Sequence, residues 1–388
     1  MKTRSLVCAA MMAVTPFVSA QAAPNWYKGN MHTHTLWSDG QAFPEQAVDD
    51  YQQRGYHFLA LTEHNRLQEG EKWVGTSPDK VERYRQEFGD QWVEQRPDGQ
   101  VRLKTLAEYR DKFEQPDQFL LIQSEELTDS EHLHLNAHNL DHPLAPLGGE
   151  TAGEKLNRDH QLASQAADLV VINHPNYHYT LNASDLIQLR TDEPVFFEAY
   201  NGHWLSADAG DANHASTEKL WDQALVGRLC QGDSLVYGLA TDDAHDYHRL
   251  DPAQSNPGRG WVMVEADELS ANSLMAAMKD GQFYSSTGVE LAAIESFATG
   301  MQLTIKPTPG VEYSTQFIGS RGGQPAEVLA IVEGTEPGYH FAGDELYLRA
   351  KVSSSQPKEN SSRPPETEAA WIQPIEGPGA SLRCESPR

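Results

Sequence analysis

The segment HTHTLWSDG, residues 32–40, combines residue types that bind metal ions. Its two histidines, His32 and His34, are separated by one residue. Residues i and i+2 of a β-strand point to the same face, so such a pair at a strand end aims two imidazoles at one point. Asp39 is followed by Gly40, which allows the loop to turn back toward the strand. Alone, the segment is a weak indication of a metal site.

Histidines and acidic residues recur directly after other apolar segments of the chain. Those that follow FLALT, FLLIQ, LVVIN and the predicted strand 235–241 are Glu63, His64, Glu125, Glu126, His174, Asp242, Asp243 and His245. The segment HLHLNAH adds His132, His134 and His138, which share one strand face, so spacing does not choose between them. Catalytic residues of (β/α) barrels lie at the C-terminal ends of the strands. The recurrence therefore predicts one metal-binding rim.

The residue types favour particular ions. Several imidazoles and a few carboxylates, without a thiolate, suit Zn²⁺, Mn²⁺ or Fe²⁺ better than Ca²⁺ or Mg²⁺. The candidates outnumber the ligands of a single ion, so we expect two or three divalent ions with a shared glutamate. Such clusters hydrolyse phosphate esters, because one ion lowers the pKa of a bridging water while the others hold phosphoryl oxygens.

The elements that must position these residues alternate between strands and helices up to about residue 287. Strands are predicted at 26–34, 58–62, 119–123, 133–140, 169–173, 195–200, 235–241 and 261–265, and helices at 44–55, 78–88, 105–113, 154–167, 216–227 and 271–279. This alternation implies parallel pairing in an α/β fold, either a (β/α) barrel or a doubly wound sheet.

The pattern changes after residue 290, where short strands are predicted at 301–305, 316–319, 328–332 and 347–352. We therefore divide the chain into a main domain at 25–290, a small β-rich appendage at 291–352, and a Ser/Pro-rich mobile tail at 353–388 with a possible last strand at 369–375. The appendage is expected to pack on the main domain without taking part in its chemistry.

The N-terminal residues 1–22 have the pattern of a signal peptide. Lys2 and Arg4 precede a short apolar stretch, and Ala-Gln-Ala at 20–22 fits the cleavage pattern. The expected location is periplasmic or secreted, where Cys230 and Cys384 are able to form a disulfide, although the sequence does not show whether they meet. No internal apolar run reaches the roughly 18 residues of a membrane span.

The charge limits the possible partners. A formal charge of −26 argues against a broad nucleic-acid-binding face. It is compatible with a small anionic or ester substrate, because a bound cation dominates its local field. The oligomeric state does not follow from the composition.

Five segments resemble, in order, the motifs of the polymerase and histidinol phosphatase (PHP) superfamily of metallohydrolases, in its secreted-type branch. They are HTHTLWSDG, TEHN at 62–65, SEELT at 124–128, His174-Pro175 and DAH at 243–245, and the resemblance spans about residues 28–290. It implies a distorted (β/α)7 TIM-like barrel with a trinuclear metal site.

The resemblance also implies three ligand sets. The first is His32, His34, Glu126 and Asp243; the second is Glu126, His174 and one histidine of the 132–138 cluster; the third is Asp39, His64 and His245. Within the cluster, His134 is favoured by the asparagine two residues after it, and Glu126 fits better than Glu125 because an aliphatic residue and a threonine follow it. Glu63 stands where the family has an aspartate, and we expect it to support the ligands.

The expected function is that of a phosphoric ester hydrolase, a phosphatase or phosphodiesterase with a metal-bridging hydroxide as nucleophile. Glu126 and Asp243 would hold the ions that activate it, and His245 or a metal-bound water would protonate the leaving group. One alternative is a metallohydrolase of carbamate or carboxylic ester bonds. Another is a non-catalytic metal- or phosphate-binding protein of the cell envelope. Arg66, Tyr177, Asn201 and Arg259 are candidates for phosphate contacts and equally for structural roles.

Overall fold

Strands and helices alternate over most of the chain in a computed structural model that describes residues 25–130, 132–381 and 384. The predicted signal peptide lies outside the described residues. The strands before residue 290 are β1 Trp26–Asn30, β2 Phe58–His64, β3 Lys72–Val74, β4 Val101–Leu103, β5 Leu120–Ser130, β6 Leu133–His138, β7 Leu169–Ile172, β8 Val195–Asn201, β9 Val236–Thr241, β10 Trp261–Glu265 and β11 Phe283–Ser286. The helices are α1 Pro44–Gln53, α2 Pro78–Phe88, α3 Leu106–Phe113, α4 Ala152–Ser164, α5 Ala183–Ile187, α6 Thr217–Gln231 and α7 Ala271–Lys279.

Several helices begin at residues whose side chains satisfy the first free backbone amides. Ser77 accepts a hydrogen bond from the amide of Lys80, and Thr105 accepts one from the amide of Glu108. Hydroxyl side chains at this position each stabilise a helix by about 1 kcal/mol. In contrast, all seven residues of β8 are buried, as expected for a strand covered on both faces.

One 13-stranded sheet organises the molecule. Parallel pairs link β1 to β2, β2 to β5, β7 to β8 and β8 to β9. Strand β6 runs antiparallel to both β5 and β7, so β5 and β7 point the same way. Six strands therefore share one direction, and their carboxyl ends lie on the same side of the sheet.

The first and last of these parallel strands approach each other just beyond their carboxyl ends. Thr33 forms a parallel bridge with Ala244, and the amide of His34 donates to the Ala244 carbonyl at 3.0 Å. The segment after β1 is thereby placed beside the segment after β9. The fold is a mixed α/β fold with a large sheet; the distorted (β/α)7 barrel remains a prediction.

Of the seven C-terminal strands in the described residues, four continue the same sheet. The seven strands are β12 Leu291–Phe297, β13 Gly300–Ile305, β14 Tyr313–Arg321, β15 Glu327–Glu333, β16 Gly338–His340, β17 Glu345–Pro357 and β18 Thr367–Glu376. The four that continue the sheet are β14, β15, β17 and β18. β18 pairs with β11 on one side and β17 on the other, whereas β12, β13 and β16 form a separate three-stranded sheet.

Residues 353–357, expected in a mobile tail, lie in β17, and the last strand is longer than the expected 369–375. Serine-rich composition predicts a loop, but the backbone here is paired: Ser353 lies opposite Ser314 of β14 and Ala369 of β18. Position between two strands therefore outweighs local composition.

A disulfide joins Cys230, in α6, to Cys384. It fastens the C-terminal end to a helix 154 residues earlier in the chain. Among the helices of the described residues, none is long and apolar enough to cross a membrane.

Candidate metal centre

The nine ligands expected from the sequence come together. Eight of them line one cavity of about 310 Å³: His34, Asp39, His64, Glu126, His134, His174, Asp243 and His245. The ninth, His32, is fully buried and contacts Glu126 and Asp243. The cavity is completed by Thr128, Tyr177, His203 and Ser206.

The first expected ligand set has closely spaced donor atoms. His32 Nε2 lies 3.1 Å from His34 Nε2, 3.3 Å from Glu126 Oε1 and 3.3 Å from Asp243 Oδ1. His34 Nε2 lies 3.3 Å from Asp243 Oδ1 and 3.4 Å from Glu126 Oε2. A tetrahedral ion with bonds of roughly 2.0–2.1 Å has donors about 3.3–3.4 Å apart. The spacing therefore fits one ion.

The second set meets at the same glutamate. Glu126 Oε1 lies 3.0 Å from His134 Nδ1 and 3.4 Å from His174 Nε2. His174 also lies near His32 and Asp243, with which it forms another possible ligand group. Glu126 thus faces histidines of both sets, as a bridging carboxylate would.

The third set surrounds Asp39. Its Oδ1 lies 3.4 Å from His245 Nε2, and its Oδ2 lies 3.5 Å from His64 Nε2. The Asp39 side chain is 55% exposed, unlike the buried carboxylates of Glu126 and Asp243. The third set therefore opens toward solvent.

Hydrogen bonds fix the tautomers of five histidine rings. His134 Nε2 lies 3.0 Å from the Ser130 carbonyl, and His245 Nδ1 lies 2.8 Å from the Asp243 carbonyl. A carbonyl only accepts, so these nitrogens donate and leave His134 Nδ1 and His245 Nε2 with lone pairs. His32 Nδ1 likewise donates to Glu198 Oε1 at 2.7 Å.

The other two rings are held by hydroxyl groups. Ser38 Oγ donates to Glu63 and accepts from His34 Nδ1, at 3.2 Å from that nitrogen. Thr128 Oγ1 donates to the Glu126 carbonyl and accepts from His64 Nδ1, at 2.7 Å. In their neutral tautomers, all five rings therefore turn an unprotonated nitrogen toward a carboxylate, as ligands of a cation lying between them would.

One further atom supports this fit. Glu126 Oε2 is buried and faces two imidazole nitrogens, His64 Nδ1 at 2.9 Å and His34 Nε2 at 3.4 Å. Burying the charge of a carboxylate is costly, whereas coordination to a cation would compensate it. The site thus suits divalent ions held by imidazole and carboxylate.

The cluster perturbs the protonation of its members. Burial opposes the charging of His32, but the carboxylates of Asp243, Glu198 and Glu126 outweigh it and raise the pKa of His32 well above its usual value. Burial, with His245 nearby, lowers the pKa of His34 to about 4. Without metal, the neighbouring rings of His32 and His34 would therefore have different protonation states, as expected where several ionisable side chains lie close together.

Backbone strain is concentrated at the same place. Asp243 has φ 49° and His174 has φ 22°, values unusual for residues other than glycine. Strained residues persist where the surrounding structure holds them, and they cluster at functional sites.

The alternative candidates Glu125, His132 and His138 have other contacts. Alternate residues of β5 point to opposite faces, so Glu125 points away from the cluster that Glu126 faces. Glu125 Oε1 instead accepts a hydrogen bond from the Leu144 amide at 2.7 Å. His138 is buried and bonded to Ser124 Oγ at 3.1 Å. His132 stacks on His178 with ring centroids 4.0 Å apart. His134 is thus the member of its cluster that reaches Glu126.

Arg259 and Glu63, which the sequence also indicated, contact the protein backbone and side chains near the cluster. Arg259 donates to the carbonyls of Gly202, Asp251 and Gln254. Glu63 accepts from the amide of Thr35 and the side chain of Gln68, which fixes the loop between His34 and Asp39.

The sequence assigned no role to Glu198 or His203, and for Asn201 it offered only a phosphate contact or a structural role. Glu198 accepts from His32 and from the amide of His174 at 2.7 Å, and the Asn201 side chain donates to Glu198 and Asp243. A signal for Glu198 existed, because an acidic residue inside the apolar strand VFFEAYN needs a buried partner. His203 lines the cavity, and its place in a loop gave no such signal.

No family model matches this chain, and no curated protein sequence matches it. Among solved structures, the chain is similar to the crystal structure of a two-domain protein from Bacteroides vulgatus ATCC 8482 that contains a predicted PHP-like metal-dependent phosphoesterase. The two are 15% identical, the match covers 95% of this chain and 100% of the other, and the TM-score is 0.40. At this degree of likeness, conclusions about function depend on the site geometry.

Proposed function

We propose that the protein is a metal-dependent phosphoesterase with a centre of two or three divalent ions. The observation that supports this most directly is the shared carboxylate of Glu126. Histidines from two ligand sets face its oxygens, and in their neutral tautomers an unprotonated ring nitrogen points at this carboxylate. Clustered ions bridged by a carboxylate are typical of enzymes that hydrolyse phosphate esters.

The residues would divide among three ions. His32, His34, Glu126 and Asp243 would hold the first, Glu126, His134 and His174 the second, and Asp39, His64 and His245 the third. The bound ions would lower the pKa of a water molecule and offset the negative charge of a phosphoryl group. Zn²⁺, Mn²⁺ and Fe²⁺ all suit this donor set.

The chain itself keeps the ligands in place. Glu198 holds His32, the pair of Ser38 and Glu63 holds His34, and Thr128 holds His64. Such partners orient a ligand ring and increase its basicity. Their loss commonly lowers metal affinity by roughly 10- to 100-fold.

His245 is the candidate for proton delivery to the leaving group, and His203 is a candidate hydrogen-bond donor to the substrate. His245 donates through Nδ1 to a carbonyl, so Nε2 must serve either as a ligand or as a proton donor. His203 Nδ1 accepts from the Leu205 amide at 3.1 Å, which places the proton of its neutral ring on Nε2. Burial lowers the pKa of His203 to about 4, so this neutral donor predominates at pH 7 and would hydrogen-bond the substrate.

The test is metal analysis of the purified protein together with a substrate panel. We expect bound divalent metal and hydrolysis of aryl phosphates or phosphodiesters. Glu126→Gln should lose at least one ion per chain, whereas Glu125→Gln, on the opposite face of β5, should keep its metal. Turnover of carbamates or aryl carboxylic esters with inert phosphate esters would instead establish a different hydrolase, and bound metal with no turnover would indicate a binding protein.

A further inference from the structure

The loop at 358–366, between β17 and β18, lies against the carboxyl end of β8. From this loop, Arg363 Nη2 contacts three acceptors: the Asn201 carbonyl at 2.9 Å, Ser206 Oγ at 2.6 Å and Asp208 Oδ2 at 3.0 Å. The guanidinium of Arg363 therefore connects the end of β8 to residues 206 and 208 of the turn that follows it.

Asn201 connects this contact to the candidate metal centre. Its side-chain amide donates to Glu198 Oε2 at 2.8 Å and to Asp243 Oδ2 at 3.2 Å. Its backbone amide donates to Asp208 Oδ2 at 2.9 Å, the same oxygen that Arg363 contacts. Arg363 and Asp208 thus hold the backbone of a residue whose side chain fixes two carboxylates of the site.

The same loop also contacts the segment after β9. The Asn360 carbonyl accepts from Arg259 Nε at 3.1 Å, and Arg259 Nη1 donates to the Gly202 carbonyl at 2.9 Å. The Arg259 amide donates to Asp242, the neighbour of Asp243. The loop therefore contacts both segments that carry Glu198 and Asp243.

The energetics favour a fixed arrangement. The side chain of Asp208 is 7% exposed and that of Arg363 is 22% exposed, so the pair is largely desolvated. Removing one partner of such a pair leaves a buried charge uncompensated and disturbs its other contacts.

We propose that Arg363 is a positioning residue for the metal centre, acting through Asn201 on Asp243 and Glu198. This inference rests on the proposed function only in requiring that the cluster bind metal. It gives the C-terminal region a part in the site, contrary to the expectation that this region takes no part in the chemistry.

The test measures Zn²⁺ affinity of the full chain by competition with a chromophoric chelator, which requires no substrate. Arg363→Ala should lower the affinity for the most tightly bound ion by about 10- to 100-fold. Arg363→Lys should recover part of this affinity. The matched control is Lys351→Ala, which removes the contact between Lys351 of β17 and Glu218 of α6 at a side-chain exposure of 25%. The control should keep its metal affinity.

Unchanged affinity in Arg363→Ala, or an equal loss in both variants, would overturn the proposal. If Arg363→Ala does not fold, Arg363→Lys alone decides, and wild-type affinity in that variant counts against the proposal. A wild-type protein that binds no Zn²⁺ would reject the metal centre itself, whereas tight wild-type binding with an unaffected Arg363→Ala would reject only the role of Arg363.

Discussion

A sequence reveals ligands of the candidate site that are close together in the chain, but not contacts between residues far apart in it. The ligands of HTH, EE and DAH stand beside one another in the chain, so their spacing was informative. The contact between His32 and Glu198 joins residues 166 positions apart, and no local pattern contains it. The sequence thus predicted the residues that face one another but, apart from Glu63, not the partners that orient them.

The three histidines of HLHLNAH allow a prediction at the residue scale. His134→Ala should lower the bound metal, because His134 Nδ1 lies 3.0 Å from Glu126. His138→Ala should lower the melting temperature but keep the metal, because His138 is buried and bonded to Ser124. Metal content per chain, measured with thermal unfolding, distinguishes the two. The reverse pattern would move the ligand role to His138.

Most elements were predictable because their apolar periodicity is strong. The helices at 78–88 and 271–279 and the strand at 261–265 have the predicted bounds. The strand β11, with the sequence FYSS, and the five-residue helix α5 were not predicted. Both are too short and polar for periodicity to be visible, and β11 is stabilised by pairing with β10 and β18.

The start of α1 gives a prediction about pH. Burial raises the pKa of Glu45 from 4.5 to about 7. Since the folded pKa is higher than the unfolded one, the stability contribution is present below about pH 4.5 and is lost as pH rises to 7. Glu45→Gln should therefore be stabilised relative to wild type at pH 8 and not at pH 4.5, by up to about 3 kcal/mol.

Urea unfolding of both proteins at the two pH values measures this difference. The comparison cancels the titration of other groups, which both proteins share. A difference in the free energy of unfolding that does not change with pH would mean that the pKa of Glu45 is the same in the folded and unfolded states.

The whole molecule is cross-linked by the disulfide between Cys230 and Cys384. Closing a loop of this length restricts the unfolded chain, so reduction should lower the free energy of unfolding by about 2–5 kcal/mol. Thermal unfolding with and without reductant measures the effect. The double variant Cys230→Ser/Cys384→Ser should be insensitive to reductant, and a wild type equally insensitive would show that the bond does not form.

Metal removal should also destabilise the whole molecule. The ligands come from β2, β5, β6 and the segments after β1, β7 and β9, so they meet only in the folded chain. Metal that binds the folded state alone stabilises it, by about 2.7 kcal/mol at a free concentration of 100 times Kd. A chelator should therefore lower the melting temperature of wild type more than that of Glu126→Gln. Equal shifts would place the bound metal elsewhere.

The position of β18 has a consequence for newly made chains. β18 lies between β11 and β17, and β14, β15 and β17 join the rest of the sheet through it. Synthesis delivers N-terminal parts first, so β18 leaves the ribosome after every other described strand. Until it arrives, β11 and β17 each present an unpaired edge that another chain could join. Aggregation during production should therefore depend on how quickly this one strand inserts.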